Sequence, residues 1–135
     1  MELSDSAQTT AAIALLAAIT VTSGGYFLLR IGTGKVPVTE FQRGFFRAGH
    51  AHAGVFITLG LVCVLLTDAA GLTGAVGWLA GSGVLVAAIL MPAGFFLSAI
   101  GSGRTAPNRL IVLVFIGAGF LIAGLGSLGV GLLVT

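Results

Sequence analysis

Four long stretches of this chain carry no charged residue at all: Ser6–Leu29, Ala48–Thr67, Ala69–Gly103 and Leu110–Thr135, of 24, 20, 35 and 26 residues. A membrane-spanning helix needs about 20 predominantly apolar residues. The third stretch is long enough for a helix and its turn, so four spans fit and little chain is left over. Backbone groups in lipid must bond within their own segment, which favours helices. The period-two alternation of a membrane barrel strand is absent. We therefore expect an all-α fold, a bundle of four transmembrane helices near Thr9–Ile31, Glu40–Asp68, Thr73–Ile100 and Asn108–Val134. Together they form one integral membrane domain.

Composition narrows the functional classes. Only 7% of the 135 residues are charged, against about a quarter in a soluble domain. Six Lys and Arg residues are too few for a phosphate-tracking surface, so nucleic acid is excluded as a partner. The first helix reads as a retained span, because Met1–Thr9 carries Glu2 and Asp5 but none of the basic residues that open a signal peptide. All six basic residues flank two connections: Arg30, Lys35, Arg43 and Arg47 the first, Arg104 and Arg109 the third. The positive-inside rule then places both termini outside and these connections in the cytoplasm of a bacterial plasma membrane.

The same two connections carry an internal repeat. Gly25–Lys35 reads GYFLLRIGTGK and Gly94–Arg104 reads GFFLSAIGSGR, in register at an offset of 69. An in-register polar turn of the form IG[TS]G[KR] is hard to obtain from membrane composition alone. We expect two parallel, duplicated helical hairpins, about 9–68 and 73–134, related by an axis along the membrane normal. The turn glycines suit left-handed caps, and Pro37 and Pro107 redirect the chain. Small-xxx-small pairs, Gly77/Gly81, Gly49/Ala53 and Gly119/Ala123, allow close helix approach. Their abundance, with six glycines in the last helix, predicts a homo-oligomer, with docking onto a larger membrane complex as a further option. Met91-Pro92 predicts a kink in the third helix.

One polar constellation stands out. Thr39 and Gln42 have capping-box spacing at the start of the second helix. A helix from Glu40 to Asp68 would be about 43 Å long, so its first turns lie among the inner headgroups and His50 and His52 at the edge of the hydrocarbon. At about 100° per residue, Glu40, Arg43, Arg47, His50 and Gly54 share one stripe. His52 lies about 160° away, with Phe45, Phe56 and Cys63. One straight helix therefore cannot direct both imidazoles at one metal; joint ligation needs different helices or subunits. Ionisable groups within a membrane are functional candidates, and His titrates near neutral pH. The plain structural use, an imidazole donating to a backbone carbonyl, competes with ligation of haem b or a transition metal.

The segment Arg47-Ala-Gly-His50-Ala-His-Ala53-Gly-Val-Phe56 resembles the low-spin haem-ligand segment in helix II of haem-copper oxidases of the nitric-oxide-reductase and cbb3 type. The resemblance implies His50 as an axial haem ligand, with Gly49, Ala53 and Gly54 leaving room for a porphyrin. A second axial ligand would be His52, or His50 of another subunit; Arg47 would pair with a propionate. Over most of its length the chain also resembles uncharacterised four-helix membrane proteins of high-GC Gram-positive bacteria. That resemblance rests on FRAGHAHAG at Phe46–Gly54 and MPAGFFLS at Met91–Ser98 and implies no activity.

Other polar residues have ordinary uses. Asn108 and Arg109 open the fourth helix at the depth of this constellation, Asn108 as a cap. Cys63 reads as a small buried hydrophobe, and Trp78 belongs to the outer aromatic belt. No set of base, nucleophile and oxyanion donor is present, so an enzyme is not expected. Three classes remain: a structural or accessory membrane protein, a haem- or metal-binding redox protein using His50 and His52, and a small channel or transporter.

Overall fold

The computed structural model describes residues 2–135 and contains four helices: α1 Asp5–Gly32, α2 Glu40–Ala69, α3 Gly74–Ser98 and α4 Val112–Val134, the last preceded by a 3₁₀ turn at Arg109–Ile111. All four, with the 3₁₀ turn counted into the last, are long and apolar enough to cross a membrane. Among the described residues there is no strand.

The helix starts follow the local chemistry. Ser4 caps α1 by accepting from the Ala7 N–H at 3.2 Å, with Asp5 in the first turn and Arg30 in the last, both complementing the helix dipole. The capping box on α2 is complete: the Gln42 N–H donates to Thr39 Oγ1, and the Thr39 N–H to Gln42 Oε1, each at 3.1 Å. Asn108 caps the 3₁₀ turn, accepting from the Leu110 N–H at 2.8 Å. The α-helical part of α4 thus begins at Val112, later than expected.

Helix α3 stops at Ser98, two residues short of the expected Ile100. The reason lies in its last carbonyls. The Asn108 N–H donates to the Ser98 carbonyl at 2.9 Å and Asn108 Nδ2 to the Leu97 carbonyl at 2.9 Å. The chain folds back across the helix end instead of extending it. The two repeated turns are alike at Gly34 and Gly103, both left-handed with φ of 73° and 66°. They differ at the preceding glycine, since Gly32 is still helical while Gly101 has a φ of 120°.

The helices pack as α1 on α2, α2 on α3 and α3 on α4, with slight contact of α2 and α4; α1 does not close onto α4. The tightest seam is α3–α4. Gly117, Gly124 and Gly131 recur every seven residues, two helical turns, and so form one stripe facing α3 and its entry turn. A Cβ on Gly83 would lie 2.8 Å from Gly124 Cα and 3.0 Å from the Phe120 carbonyl, so the backbones touch. A Cβ on Gly117 would lie 3.0 Å from the Met91 N, and one on Gly94 only 2.7 Å from the Val114 N. Pro92 is buried within α3 without ending it.

Two of the small-residue pairs behave differently from expectation. Gly81 faces the Thr67 methyl of α2, but Gly77 accommodates the Leu72 carbonyl of its own connection. Gly119 meets nothing within 4 Å, because the Gly117–Gly124–Gly131 stripe on another side of α4 is the one that takes α3. Gly49 does serve a helix contact, beneath Phe95 and Phe96 of α3.

Two apolar clusters fill the interior. One joins Cys63, Ala80, Val84 and Leu128. The other, at the end bearing the basic connections, joins Ile31, Phe46 and Ala99 with Phe27 and Phe96 around them. Phe46 is central there, edge-to-face with Phe27 at 5.3 Å and stacked with Phe96 at 5.6 Å. Such ring pairs add about 0.5–1.5 kcal/mol each beyond area burial.

The glycine seam makes a stability prediction. Gly124→Leu places a side chain against the Gly83 backbone, which cannot yield, and should destabilise the fold by at least about 1–3 kcal/mol. Gly119→Leu should leave unfolding of the single chain unchanged. Denaturant titration in detergent micelles checks both; equal effects of the two variants would contradict the seam.

Candidate functional site

The half of α2 nearer the basic connections displays its polar residues on two faces, as a 3.6-residue period requires. On one face Glu40 is exposed and pairs loosely with Arg43, Nε to Oε1 3.8 Å, one turn on. This is an exposed i,i+3 pair and contributes only a few tenths of a kcal/mol, ~0.3–0.5. The Arg43 Nε has no hydrogen-bond partner among the described residues, and Arg47 is exposed.

Further along the same face, His50 lies against α1 where α1 has no side chains. A Cβ on Gly24 would stand 3.1 Å from His50 Nδ1, and one on Gly25 3.6 Å from Nε2. The Gly24-Gly25 dipeptide is thus the seat of this imidazole. Among the described residues His50 forms no hydrogen bond, in contrast to His52. Its ring lines two adjoining shallow grooves. One, of about 390 Å³, runs between α1 and α2 past Val21, Thr22, Gly54 and Thr58. The other, of about 640 Å³, continues along the outer flank of α2 past Val55, Leu59 and Val62. Gly54 has open space in front of it. The Thr58 hydroxyl is already bonded to the Gly54 carbonyl at 3.0 Å, so the groove is apolar around one imidazole.

His52 points the other way. Its Nδ1 lies 2.7 Å from the Ala48 carbonyl one turn back, and so carries the proton. Its ring packs edge-on to Phe56 at 5.2 Å and against Phe95 of α3 at 5.1 Å. This is the structural use of a histidine, with the acceptor on its own helix.

The structure therefore does not bring the sequence candidates together. His50 and His52 face α1 and α3 respectively, so one chain does not assemble a two-histidine metal site. Among the described residues no three His, Cys, Asp or Glu side chains cluster as metal ligands would. Asn108 is engaged in capping and in holding the end of α3, and neither it nor Arg109 lines the His50 grooves.

One residue has a role beyond the cap that its spacing indicated. Gln42 is buried, and besides its Oε1 in the capping box, its Nε2 donates to the carbonyls of Ala99 at 2.9 Å and Gly101 at 2.6 Å. The Thr39 hydroxyl donates to the Arg104 carbonyl beside it. The start of α2 and the turn after α3 are thereby joined through one side-chain amide. The capping-box spacing announced the local half of this role. The acceptors 57 and 59 residues away are backbone groups and leave no sequence signature.

At the opposite end, Asp68 accepts from the backbone N–H of Ser4 at 3.1 Å and from the Ser4 hydroxyl, fastening the start of α1 to the end of α2. No protein-family model, curated protein or solved structure matches the chain.

Gln42→Leu keeps the volume but strands two carbonyls and the Thr39 N–H, and should cost about 1–3 kcal/mol. Trypsin cleavage after Arg104 should accelerate in the same variant. Unchanged cleavage with unchanged unfolding would show that the amide does not hold the turns.

Proposed function

We propose that this chain is a small integral membrane protein of structural or accessory type that works as a homo-oligomer. The observation that carries this reading is the open helix layer. Helix α1 docks chiefly on α2, and α4 offers a second glycine face, Gly119, Gly126 and Gly129, with nothing against it. In lipid, an uncovered glycine face brings little contact energy, whereas Gly83 and Gly124 illustrate what such a face does when another helix meets it. We read the occupant as a second copy of the chain.

In the same proposal the two hairpins are parallel duplicates. Supporting this, Gly34 and Gly103 share a left-handed conformation, and Thr39 and Asn108 cap the following element at the same offset of 69. The termini lie outside and the two basic turns in the cytoplasm of a bacterial plasma membrane.

Native mass spectrometry from nanodiscs tests the assembly. The wild type should fly as a dimer or higher oligomer, and Gly119→Leu with Gly126→Leu should weaken association at least about tenfold. Tenfold corresponds to about 1.4 kcal/mol. A wild type that stays monomeric at every concentration would refute the assembly.

A specific observation favours a second reading, a haem- or metal-binding protein. His50 is an imidazole without a partner, set in an apolar groove with open space at Gly54. It could supply one nitrogen ligand to a haem iron or another metal. With His52 committed to Ala48, a second imidazole would come from His50 of another copy. A haem held there would supply one-electron chemistry; this chain's residues would bind it, exclude water through Val21, Val55 and Ile57, and offer Arg47 to a propionate. The absorption spectrum of purified protein decides. A Soret band lost in His50→Ala and retained in His52→Ala supports the reading. A colourless protein free of metal by elemental analysis removes it.

A further inference from the structure

Free polar groups on the outside of α2, and the shape of the grooves beside them, point to an occupant. Among the described residues, the buried side-chain polar atoms sealed by the fold without a hydrogen bond are Arg43 Nε and the Thr67 hydroxyl, which is not returned to a carbonyl of its own helix. The nitrogens of His50 are not among them. This imidazole is half-buried and unbonded, and in either tautomer it presents one reachable N–H.

Arg47 is the second free group. It is exposed and forms no hydrogen bond or ion pair among the described residues, whereas Arg43 has Glu40 and Arg104 bonds the Ile100 carbonyl at 2.7 Å. It precedes His50 by one turn, about 60° away around α2, on the side of the basic connections. Gly54, one turn after His50, has open space in front of it. Arg47, His50 and Gly54 therefore follow one line along the helix.

Size and charge decide what fits that line. From His50 to Val62 the grooves run for about 18 Å at 1.5 Å per residue. One leaflet of hydrocarbon is about 15 Å thick. Volumes of about 390 and 640 Å³ over such lengths leave a section of roughly 35 Å². A helix about 10–12 Å across does not seat there, but a single acyl chain does. The wall hydroxyls of Thr22 and Thr58 are returned to their own helices, so the walls ask for apolar contact. Polar demand is confined to one end, at Arg47 and His50. That end holds all six basic residues of the chain against Glu40 as its one acid.

We propose that this face binds an anionic phospholipid from the leaflet at the basic end. Its phosphate sits on the Arg47 guanidinium and the His50 N–H, and one acyl chain follows the grooves to Val62. A guanidinium offers phosphate two parallel N–H bonds, and the neighbouring basic residues favour negative headgroups. Such a site rests on the reading of the chain as an integral membrane protein. It needs neither the homo-oligomer nor haem, and competes with haem for His50.

Full-length protein in dodecylmaltoside micelles is titrated with phosphatidylglycerol or phosphatidylcholine of equal chain length, and bound lipid is counted by native mass spectrometry. One phosphatidylglycerol per chain should be retained, at least tenfold more tightly than phosphatidylcholine. Arg47→Gln should remove most of that preference. Gly54→Leu fills the open space and should weaken both lipids severalfold. Both positions are free of protein contacts that a new side chain would break, so unfolding should be unchanged. Arg109→Gln removes the same charge away from the grooves and should keep the preference. Equal affinity for the two lipids, equal losses in Arg47→Gln and Arg109→Gln, or unaltered binding in Gly54→Leu would overturn the site. A groove already filled by a second copy or by haem would show as no retained lipid and overturn it too. Carbonate extraction separates the two levels: a chain released from membranes removes the membrane reading and the site together, whereas an embedded chain without lipid preference removes the site alone.

Discussion

A single buried amide sets the geometry of the end that carries every basic residue. Gln42 completes the cap of α2 with its oxygen and holds the turn after α3 with its nitrogen. Lateral packing of long apolar rods does not by itself fix how far each one slides along its neighbour. The amide fixes that register. Phe46 can then sit between Phe27 and Phe96, and the aromatic cluster at that end follows from it. Its three bonds count because the side chain is buried, away from competing water.

Along the helices the controlling quantity is the missing side chain. Gly83 against Gly124 brings two backbones into contact, Gly60 admits Leu85, and Gly24 with Gly25 admits an imidazole. One device serves three purposes: helix against helix, aliphatic knob into hole, and polar ring into an apolar seam. In lipid the contrast between apolar surfaces is lost, and shape fit takes over as the source of specificity. The seam between α3 and α4 is the extreme case, and α1 against α2 the weakest.

Much of this was legible in the residues. The four spans followed from the absence of charge, and the Thr39–Gln42 cap from spacing alone. The opposite facing of His50 and His52 followed from the helical period, since two residues apart is more than half a turn. The early end of α3 was not legible, because Asn108 acts there through backbone carbonyls ten and eleven residues before it. Nor was the difference among glycines: Gly119 and Gly124 look alike in a sequence, and only the position of α3 separates them. Thr67 escaped notice for the same reason. An unreturned hydroxyl is a property of a rotamer and its neighbours, which no spacing encodes.

Helix α1 is fastened at its two extremities, by Ser4 to Asp68 at one and by packing of Ile31 and Phe27 around Phe46 at the other. Between these clasps it rests on α2 through glycines and leaves the grooves beside His50 open along their length. That makes the imidazole a lateral port. With the helices spanning a bilayer, a molecule meeting it would arrive sideways, and its supply would be set by partitioning into lipid and not by its level in the surrounding water.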